Sequence, residues 1–295
     1  MDPKGFLLEF MSAGQVIRVL CDPIFADRAS PSKHLGPKRR LPPPCSVEEL
    51  PEIHFLVISH NHYDHLDIEV LQAIHARWPN TVHYLVPLGV SPLLASQGLP
   101  EARTHSLDWW ERKTIDDFEF VCTPAQHNSG RGILDQGSTL RSSWVIRKCS
   151  SEDLSASRSV WFAGDTGYQT ADGPCPAFQD IGNQYGPFDL ALIPIWRGAS
   201  LSFLARAGLR LTDDDCLATL HATPEDALQI QRDVKARHAI GMHFATFAGS
   251  KSEAREPVIR LVKALRDKGE ILDWKKEGGF GIVNIGERHV IPVDI

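Results

Sequence analysis

The chain has 295 residues, of which 42% are hydrophobic and 23% charged, and its formal net charge is -6 at pH 7. This composition is ordinary for a globular protein, and the acidic balance argues against nucleic-acid binding through a basic face. The 6 cysteines lack CxxC spacing, and no apolar run reaches the roughly 18 residues of a membrane span. We therefore expect reduced thiols and a cytoplasmic protein, with at most a peripheral contact to an intracellular membrane.

The first predicted elements are two strands, residues 6–10 and 16–20, joined by a turn at Ala13-Gly14. Asp22 follows the second strand. It is either an ordinary strand-end carboxylate or a residue that supports a neighbouring metal site through hydrogen bonds.

A loop rich in proline and basic residues occupies positions 26–46. Long loops inside compact domains are uncommon unless they are functional. The run Lys38-Arg39-Arg40 is either a solvated part of this loop or a contact for an anionic head group or phosphate.

The stretch around which the chain is organised begins with the apolar run 55–58, which predicts a short buried strand. His60, His62, Asp64 and His65 follow it directly. In an extended segment His60 and His62 project to the same side, and imidazole and carboxylate are ligands of zinc. A catalytic zinc takes about three protein ligands, so this motif predicts a second metal and further ligands. The alternative is a histidine-rich surface loop.

The rest of the chain alternates strands with helices. The patterns predict helices at 67–78, 90–97, 223 onward and 261–268, strands at 82–87, 118–123, 142–147, 159–162, 190–194 and 239–242, closing strands within 271–284, and a loop-like segment at 169–187.

Further ligand-type residues follow later strands. His127 and His243 each stand after a predicted strand, Asp165 lies between Gly164 and Gly167, and His221 precedes a predicted helix. A lone histidine is usually an ordinary loop residue, but the incomplete ligand set makes these residues candidates. Seven residues can complete two metals: His60, His62, Asp64, His65, His127, Asp165 and His243. Because both halves of the chain, roughly 1–150 and 158–295, contribute to one site, we expect residues 1–295 to form a single domain.

These motifs resemble the metallo-β-lactamase superfamily, and within it the branch of the N-acylphosphatidylethanolamine-hydrolysing phospholipases D. The resemblance implies an α/β fold, an αβ/βα sandwich of two mixed sheets with outer helices, and two Zn²⁺ ions. It rests on segments spread over nearly the whole chain: Asp22-Pro23-Ile24-Phe25, Gly36-Pro37-Lys38-Arg39, Ser59-His60-Asn61-His62-Tyr63-Asp64-His65-Leu66-Asp67, Pro124-Ala125-Gln126-His127, Ala163-Gly164-Asp165-Thr166-Gly167-Tyr168, His221 and His243.

The same resemblance implies roles for these residues. His60, His62 and His127 would hold one zinc, Asp64, His65 and His243 the other, and Asp165 would bridge them. Hydroxide bridging the two ions would attack the phosphorus of an N-acylphosphatidylethanolamine-like glycerophospholipid. Asp64 would accept the proton of the water, and His221 would help to neutralise the developing charge. The expected substrate contacts are Tyr63, Lys38, Arg39 and Trp196.

Two features depart from the family pattern. Relatives carry a further strand with a Leu-Gly-His-Ala/Ser motif before the position of Phe6, so that we expect either a trimmed fold or a missed first exon. Trp196 stands where relatives have a small residue, and the apolar segment 197–220 that follows is expected either to cover the pocket mouth or to pack onto a neighbouring helix. Leu201, Phe203 and Leu204 in that segment are expected to form apolar surface near the entrance for a lipid substrate.

Other functions remain as alternatives at this point. The same metals could act on a carbonyl, as in a lactonase or amidase, or on a small phosphodiester. A non-catalytic member would bind metal or ligand only. A homodimer is left open beside a monomer.

Overall fold

The computed structural model describes residues 4–149, 157–196 and 219–291. In these ranges the first sheet is mixed, with β1 and β2 antiparallel and the other neighbours parallel. Its five strands, in spatial order, are β1 (Phe6–Ser12), β2 (Gln15–Cys21), β3 (Phe55–Val57), β4 (His83–Pro87) and β5 (Thr104–Leu107).

The second sheet has seven strands and is also mixed. They are β6 (Arg112–Ile115), β7 (Phe118–Pro124), β8 (Ser142–Lys148), β9 (Arg158–Phe162), β12 (Leu190–Pro194), β13 (His238–Met242) and β14 (Gly279–Gly281); a separate ribbon contains β10 (Gln169–Thr170) and β11 (Gly173–Pro174). Strands β6 to β9 pair antiparallel, whereas β9, β12, β13 and β14 pair parallel, in the order β14-β13-β12-β9-β8-β7-β6. Strands β7, β9, β12 and β13 therefore run in the same direction and end at the same edge.

Five α-helices cover the outer faces of the sheets in the described ranges: α1 (Ile68–Arg77), α2 (Ser91–Ser96), α3 (Ala177–Tyr185), α4 (Pro224–Asp233) and α5 (Lys251–Asp267). Asp67 caps α1 by accepting from the Val70 N–H, and Thr223 caps α4 by accepting from the Asp226 N–H. Both caps satisfy backbone donors that a helix start leaves unpaired.

The core has three apolar layers. Between the sheets, the Phe55 ring lies 5.3 Å from that of Phe118 and 4.9 Å from that of Phe120. The other face of the first sheet packs against α1 and α2, and the other face of the second sheet packs against α3, as when Trp161 meets Phe178 with ring centroids 6.0 Å apart. Helix, sheet, sheet and helix thus follow one another, and the expected sandwich of two mixed sheets with outer helices is confirmed.

Three sequence-based boundaries were wrong. Residues 169–187, predicted as a loop, contain the β10–β11 ribbon and α3. In α3, Gly182 lies against the end of α4, where an added Cβ would come 2.0 Å from the Asp233 carbonyl oxygen. This glycine lowers the helix propensity of the segment, and tertiary packing holds it helical.

Helix α5 begins ten residues before the predicted 261–268 segment, at Lys251, because Ser250 caps a polar first turn that has no apolar pattern. Of the closing strands predicted in 271–284, the structure has only β14 in that segment. Strands β5 and β6 were not predicted, since each is four residues long and mixes polar with apolar residues.

Two expectations about the chain as a whole can be compared with these ranges. No helix among the described residues has the length and apolar character needed to cross a membrane. The described cysteines, Cys21, Cys45, Cys122, Cys149 and Cys175, are free thiols in this structure.

Candidate metal centre

The predicted ligands lie together at the ends of strands from both sheets. His60 to His65 follow β3, His127 follows β7, Asp165 follows β9, and His243 follows β13. The sheets are joined at this edge, where Ser142 N–H donates to the Ser59 carbonyl oxygen at 2.9 Å. Residues distant in sequence therefore reach one place because their strands end there.

Asp22, which follows β2, forms hydrogen bonds to the loop of residues 58–67 between β3 and α1, which we call the ligand loop because it carries His60, His62, Asp64 and His65. Asp22 is fully buried, and its carboxylate accepts from Ser59 N–H at 2.8 Å, from Ser59 Oγ at 2.5 Å and from His65 Nδ1 at 2.6 Å. The last contact places the proton of His65 on Nδ1 and directs Nε2 toward the cluster. Of the two roles predicted for Asp22, the structure shows the supporting one.

Gly164 brings Asp165 against the ligand loop. Its φ of +60° is a left-handed conformation, and an added Cβ would lie 2.5 Å from the Ser59 Cβ. Any other residue would be strained and would push the two segments apart. The glycine therefore permits the close approach of the β9 and β3 loops.

The first group of donor atoms contains three histidines. His60 Nε2 lies 2.9 Å and His127 Nε2 3.3 Å from His62 Nδ1. His127 Nδ1 donates to the Leu220 carbonyl oxygen at 2.8 Å, which leaves its Nε2 lone pair facing the other two rings. Burial lowers the pKa of His127 to about 4 and that of His60 well below its ordinary value. Both imidazoles are therefore neutral, the form that binds metals.

The second group combines carboxylates with histidines. Asp165 Oδ2 lies 3.1 Å from His65 Nε2 and 3.0 Å from His243 Nε2, and His243 Nε2 lies 3.6 Å from Asp64 Oδ2. The donor atoms of these four residues are all within 4.8 Å of one another. Asp165 also forms a third such group with His127 and His221, so its carboxylate stands between the two ends of the cluster.

The charges of the second group favour a cation. Burial alone would raise the pKa of the Asp165 carboxyl, but His243 and His65 hold it well below its usual range. Burial alone would lower the pKa of His65, but Asp165 and Asp64 raise it to about 10, so that without a metal the His65 imidazole is protonated beside these two carboxylates. A metal ion would take the place of that proton.

The residues fit the metal that the fold family implies. Asp165 Oδ1 and His221 Nδ1 are buried with no hydrogen-bond partner in the structure described, an arrangement that is costly unless a cation or ligand uses these atoms. Imidazole and carboxylate donors match the preferences of zinc and related divalent ions. The cluster could therefore hold a metal ion at either group.

One residue of the centre was missed. Lys4, just before β1, is 1% exposed; its Nζ contacts Asp64 Oδ2 and lies 2.7 Å from His243 Nε2. No sequence signal marks it, because a lysine near the start of a strand normally reaches solvent.

A second missed residue is Arg131. Its guanidinium donates to the carbonyl oxygens of Asn61 and Leu66, each at 3.0 Å, and lies 3.8 Å from the centroid of the Tyr63 ring. It therefore ties both sides of the ligand loop. One face of Tyr63, a predicted substrate contact, is covered by this stacking.

Trp196 lies beside the second donor group. It is 4% exposed, and its ring centroid is 5.9 Å from that of His243. The indole therefore fills space next to the cluster. The predicted contacts Leu201, Phe203 and Leu204 lie outside the described residues.

The other predicted substrate contacts lie in a separate groove. Arg39 is buried, and its guanidinium donates to the Ala26 and Ile24 carbonyl oxygens at 2.9 Å, so it holds the loop together. Lys38 is exposed at the surface. Both line a groove of about 690 Å³ that none of the predicted metal ligands line; its basic lining residues are Arg28, Lys38, Arg39, Arg40, Lys251 and Arg255.

Comparisons with known proteins identify relatives of this chain. A family model for a beta-lactamase superfamily domain matches residues 17–244. An uncharacterized protein of Mycobacterium tuberculosis is 37% identical over 250 residues, which cover 84% of this chain and 59% of that protein. The chain thus spans about three-fifths of the length of that relative.

A relative with a named activity is the N-acyl-phosphatidylethanolamine-hydrolyzing phospholipase D 1 of Caenorhabditis elegans, 33% identical over 279 residues, which cover 92% of this chain and 70% of that protein. Among solved structures, a metallo hydrolase from Ignicoccus hospitalis superposes with a TM-score of 0.58 at 18% identity, covering 95% of this chain and 92% of that one. The structural likeness confirms the expected fold.

Proposed function

The chain belongs to the β-lactamase superfamily and has the metallo-β-lactamase fold, and we propose that it is a hydrolase, a binuclear zinc phosphodiesterase of phospholipase D type. Its substrates would be N-acylphosphatidylethanolamine-like glycerophospholipids. The observation that carries the proposal is the position of Asp165, whose carboxylate belongs to donor groups at both ends of one histidine cluster. The name of the nematode relative supports the substrate class.

The residues divide into two ligand sets. His60, His62 and His127 would hold one ion, with Asp165 reaching toward it; the other set is Asp64, His65 and His243, again with Asp165. When bound, zinc would lower the pKa of a water molecule and polarise a phosphoryl oxygen.

Two residues would handle protons and charge. In the structure described, burial alone would raise the pKa of the Asp64 carboxyl, but Lys4 and His65 hold it well below its usual range. A bound cation would keep the carboxylate ionised in the same way, and Asp64 could then accept a proton from water. Burial lowers the pKa of His221 well below its ordinary value. His221 is therefore neutral, and its N–H can donate to a phosphoryl oxygen beside Asp165.

The basic groove would meet the anionic surface on which such a substrate resides. Six of its lining residues carry guanidinium or ammonium groups; Arg39 among them is buried and holds the loop together, whereas Lys38 is 59% exposed. Basic side chains near an anionic leaflet contribute about 1 kcal/mol each. Flotation with anionic vesicles should therefore decrease with added salt, whereas neutral vesicles should recover little protein.

Metal content and substrate preference test the proposal together. Elemental analysis of protein purified without chelators should find close to two zinc ions per chain, and chelation should remove them with the activity. Asp165→Asn should abolish activity more completely than loss of one histidine, because it serves both ions; Asp172→Asn, in the exposed turn between β10 and β11, is the matched control. A metal-free protein would overturn the binuclear proposal.

A substrate panel separates this function from its alternative. The loaded protein should hydrolyse N-acylphosphatidylethanolamine faster than lactones, amides, β-lactams or short water-soluble diesters. Preference for a lactone or amide would assign the same metals to carbonyl chemistry, and preference for short diesters would remove the lipid from the proposal.

A further inference from the structure

Lys4 lies where a second cation would bind. Its side chain is 1% exposed, and its ammonium contacts the Asp64 carboxylate and lies 2.7 Å from His243 Nε2. Both partners belong to the second donor group, Asp64, His65, Asp165 and His243. The Lys4 ammonium is also 5.3 Å from the centroid of the ring of Phe247, which follows His243 in the chain.

An ammonium and a metal ion cannot share these donors. Lys4 Nζ, 2.7 Å from His243 Nε2, fills the space in front of a nitrogen that a bound zinc would approach to about 2.0–2.1 Å. Two cations at such separations also repel each other strongly in a buried site. Binding of an ion at the second group therefore requires the lysine to leave.

The Lys4 ammonium compensates negative charge in the second donor group. Asp64, whose side chain is 25% exposed, and Asp165, 2% exposed, bring two carboxylates into one cluster, and unpaired charges removed from water are costly. Lys4 supplies a compensating positive charge from the chain itself. The histidine group of His60, His62 and His127 contains no carboxylate, so it has no negative charge of its own that a lysine would compensate.

We propose that Lys4 competes with the metal ion of the second group, so that the two positions fill unequally, the histidine group first and the second group only as Lys4 is displaced. This inference rests on the proposed binuclear function. It makes Lys4 a determinant of how readily the complete centre assembles when metal is scarce.

Zinc titration against a competing chelator tests the proposal in the full chain without any activity measurement. The wild-type protein should bind in two steps, a tight one and a weaker one. Lys4→Met keeps the length of the side chain but removes its charge, and should tighten the weaker step by about tenfold or more, a factor worth about 1.4 kcal/mol. The tighter step should not change. Lys33→Met, at an exposed lysine paired with Glu69, is the matched control and should leave both steps as in wild type.

Amine labelling gives a second readout. Lys4 should resist acetylation in the metal-free protein, where it is buried, and should become reactive when the second equivalent of zinc is added, as peptide mass spectrometry would measure. Equal affinities for both ions in wild type and Lys4→Met, or an unchanged Lys4 reactivity on loading, would overturn the competition while the binuclear function stood. Absence of zinc binding in both proteins would instead defeat the proposed function.

Discussion

Replacing Asp22 with asparagine is expected to weaken one metal position and spare the other. The Asp22 carboxylate accepts three hydrogen bonds, two from Ser59 and one from His65 Nδ1, and it is fully buried. Asparagine has one carbonyl oxygen in place of two carboxylate oxygens. When that oxygen keeps the bond from Ser59 N–H, the amide nitrogen faces Ser59 Oγ and His65. An N–H of the amide directed at the His65 N–H destroys that hydrogen bond.

The magnitude follows from the lost contact. A hydrogen bond to a charged group contributes about 1.5–3 kcal/mol. Its removal frees the His65 ring to rotate, and loss of such a supporting carboxylate typically lowers metal affinity by about 10–100-fold. His65 belongs to the second donor group, so the weaker zinc step should fall by this factor, while binding at the histidine group should be retained.

The assay is zinc titration of Asp22→Asn, with chemical denaturation of the metal-free protein to separate folding from binding. Asp27→Asn is the matched control, because Asp27 has an exposed side chain on the loop that follows β2. If Asp22→Asn bound both ions with wild-type affinity, or lost both steps equally, the role assigned to Asp22 would be refuted.

Three further predictions concern packing and charge. Gly164→Ala should destabilise the protein by about 1–3 kcal/mol more than Gly137→Ala in urea denaturation, since both have left-handed φ angles but only at Gly164 would the Cβ strike Ser59; equal losses would contradict this. The pKa of His105 is lowered from 6.5 to about 4, chiefly by burial, so between these pH values His105 is protonated in the unfolded chain and neutral in the folded one. Stability should therefore fall as pH drops from 6.5 toward 4, and His105→Gln should flatten that dependence; an unchanged pH profile would disprove it. Trp196→Phe should raise turnover of bulky diesters relative to short ones at constant zinc content, whereas equal gains on both would show that the indole does not shape the pocket.

Sequence patterns indicated the candidate ligand residues because their signal is local. His60 to His65 follow an apolar run too short for a helix, and His127 and His243 repeat the same arrangement at the ends of β7 and β13. Such positions can be recognised without knowing how the sheets meet. The strands and helices with clear apolar patterns were predicted for the same reason.

What the sequence did not reveal depends on tertiary contact. Lys4 and Arg131 enter the site because distant segments bring them there, and neither stands in a pattern that differs from a surface residue. The basic run at Lys38 and Arg39 was recognised, but the sequence could not show that it lines a groove apart from the cluster. Helix α3 contains a glycine that only its packing partner explains.

Because the centre is assembled from strand ends of both sheets, a bound metal would affect the stability of the whole protein against unfolding. Within the second donor group, His65 follows a strand of the first sheet and His243 a strand of the second, and the two residues are far apart in the chain. An ion held by the cluster would act as a reversible cross-link, and a cross-link between distant residues lowers the entropy of the unfolded chain. Removal of the ion by a chelator would then lower the free energy of unfolding of both sheets together. Proteolytic cleavage would increase as a result, also at sites far from the centre itself.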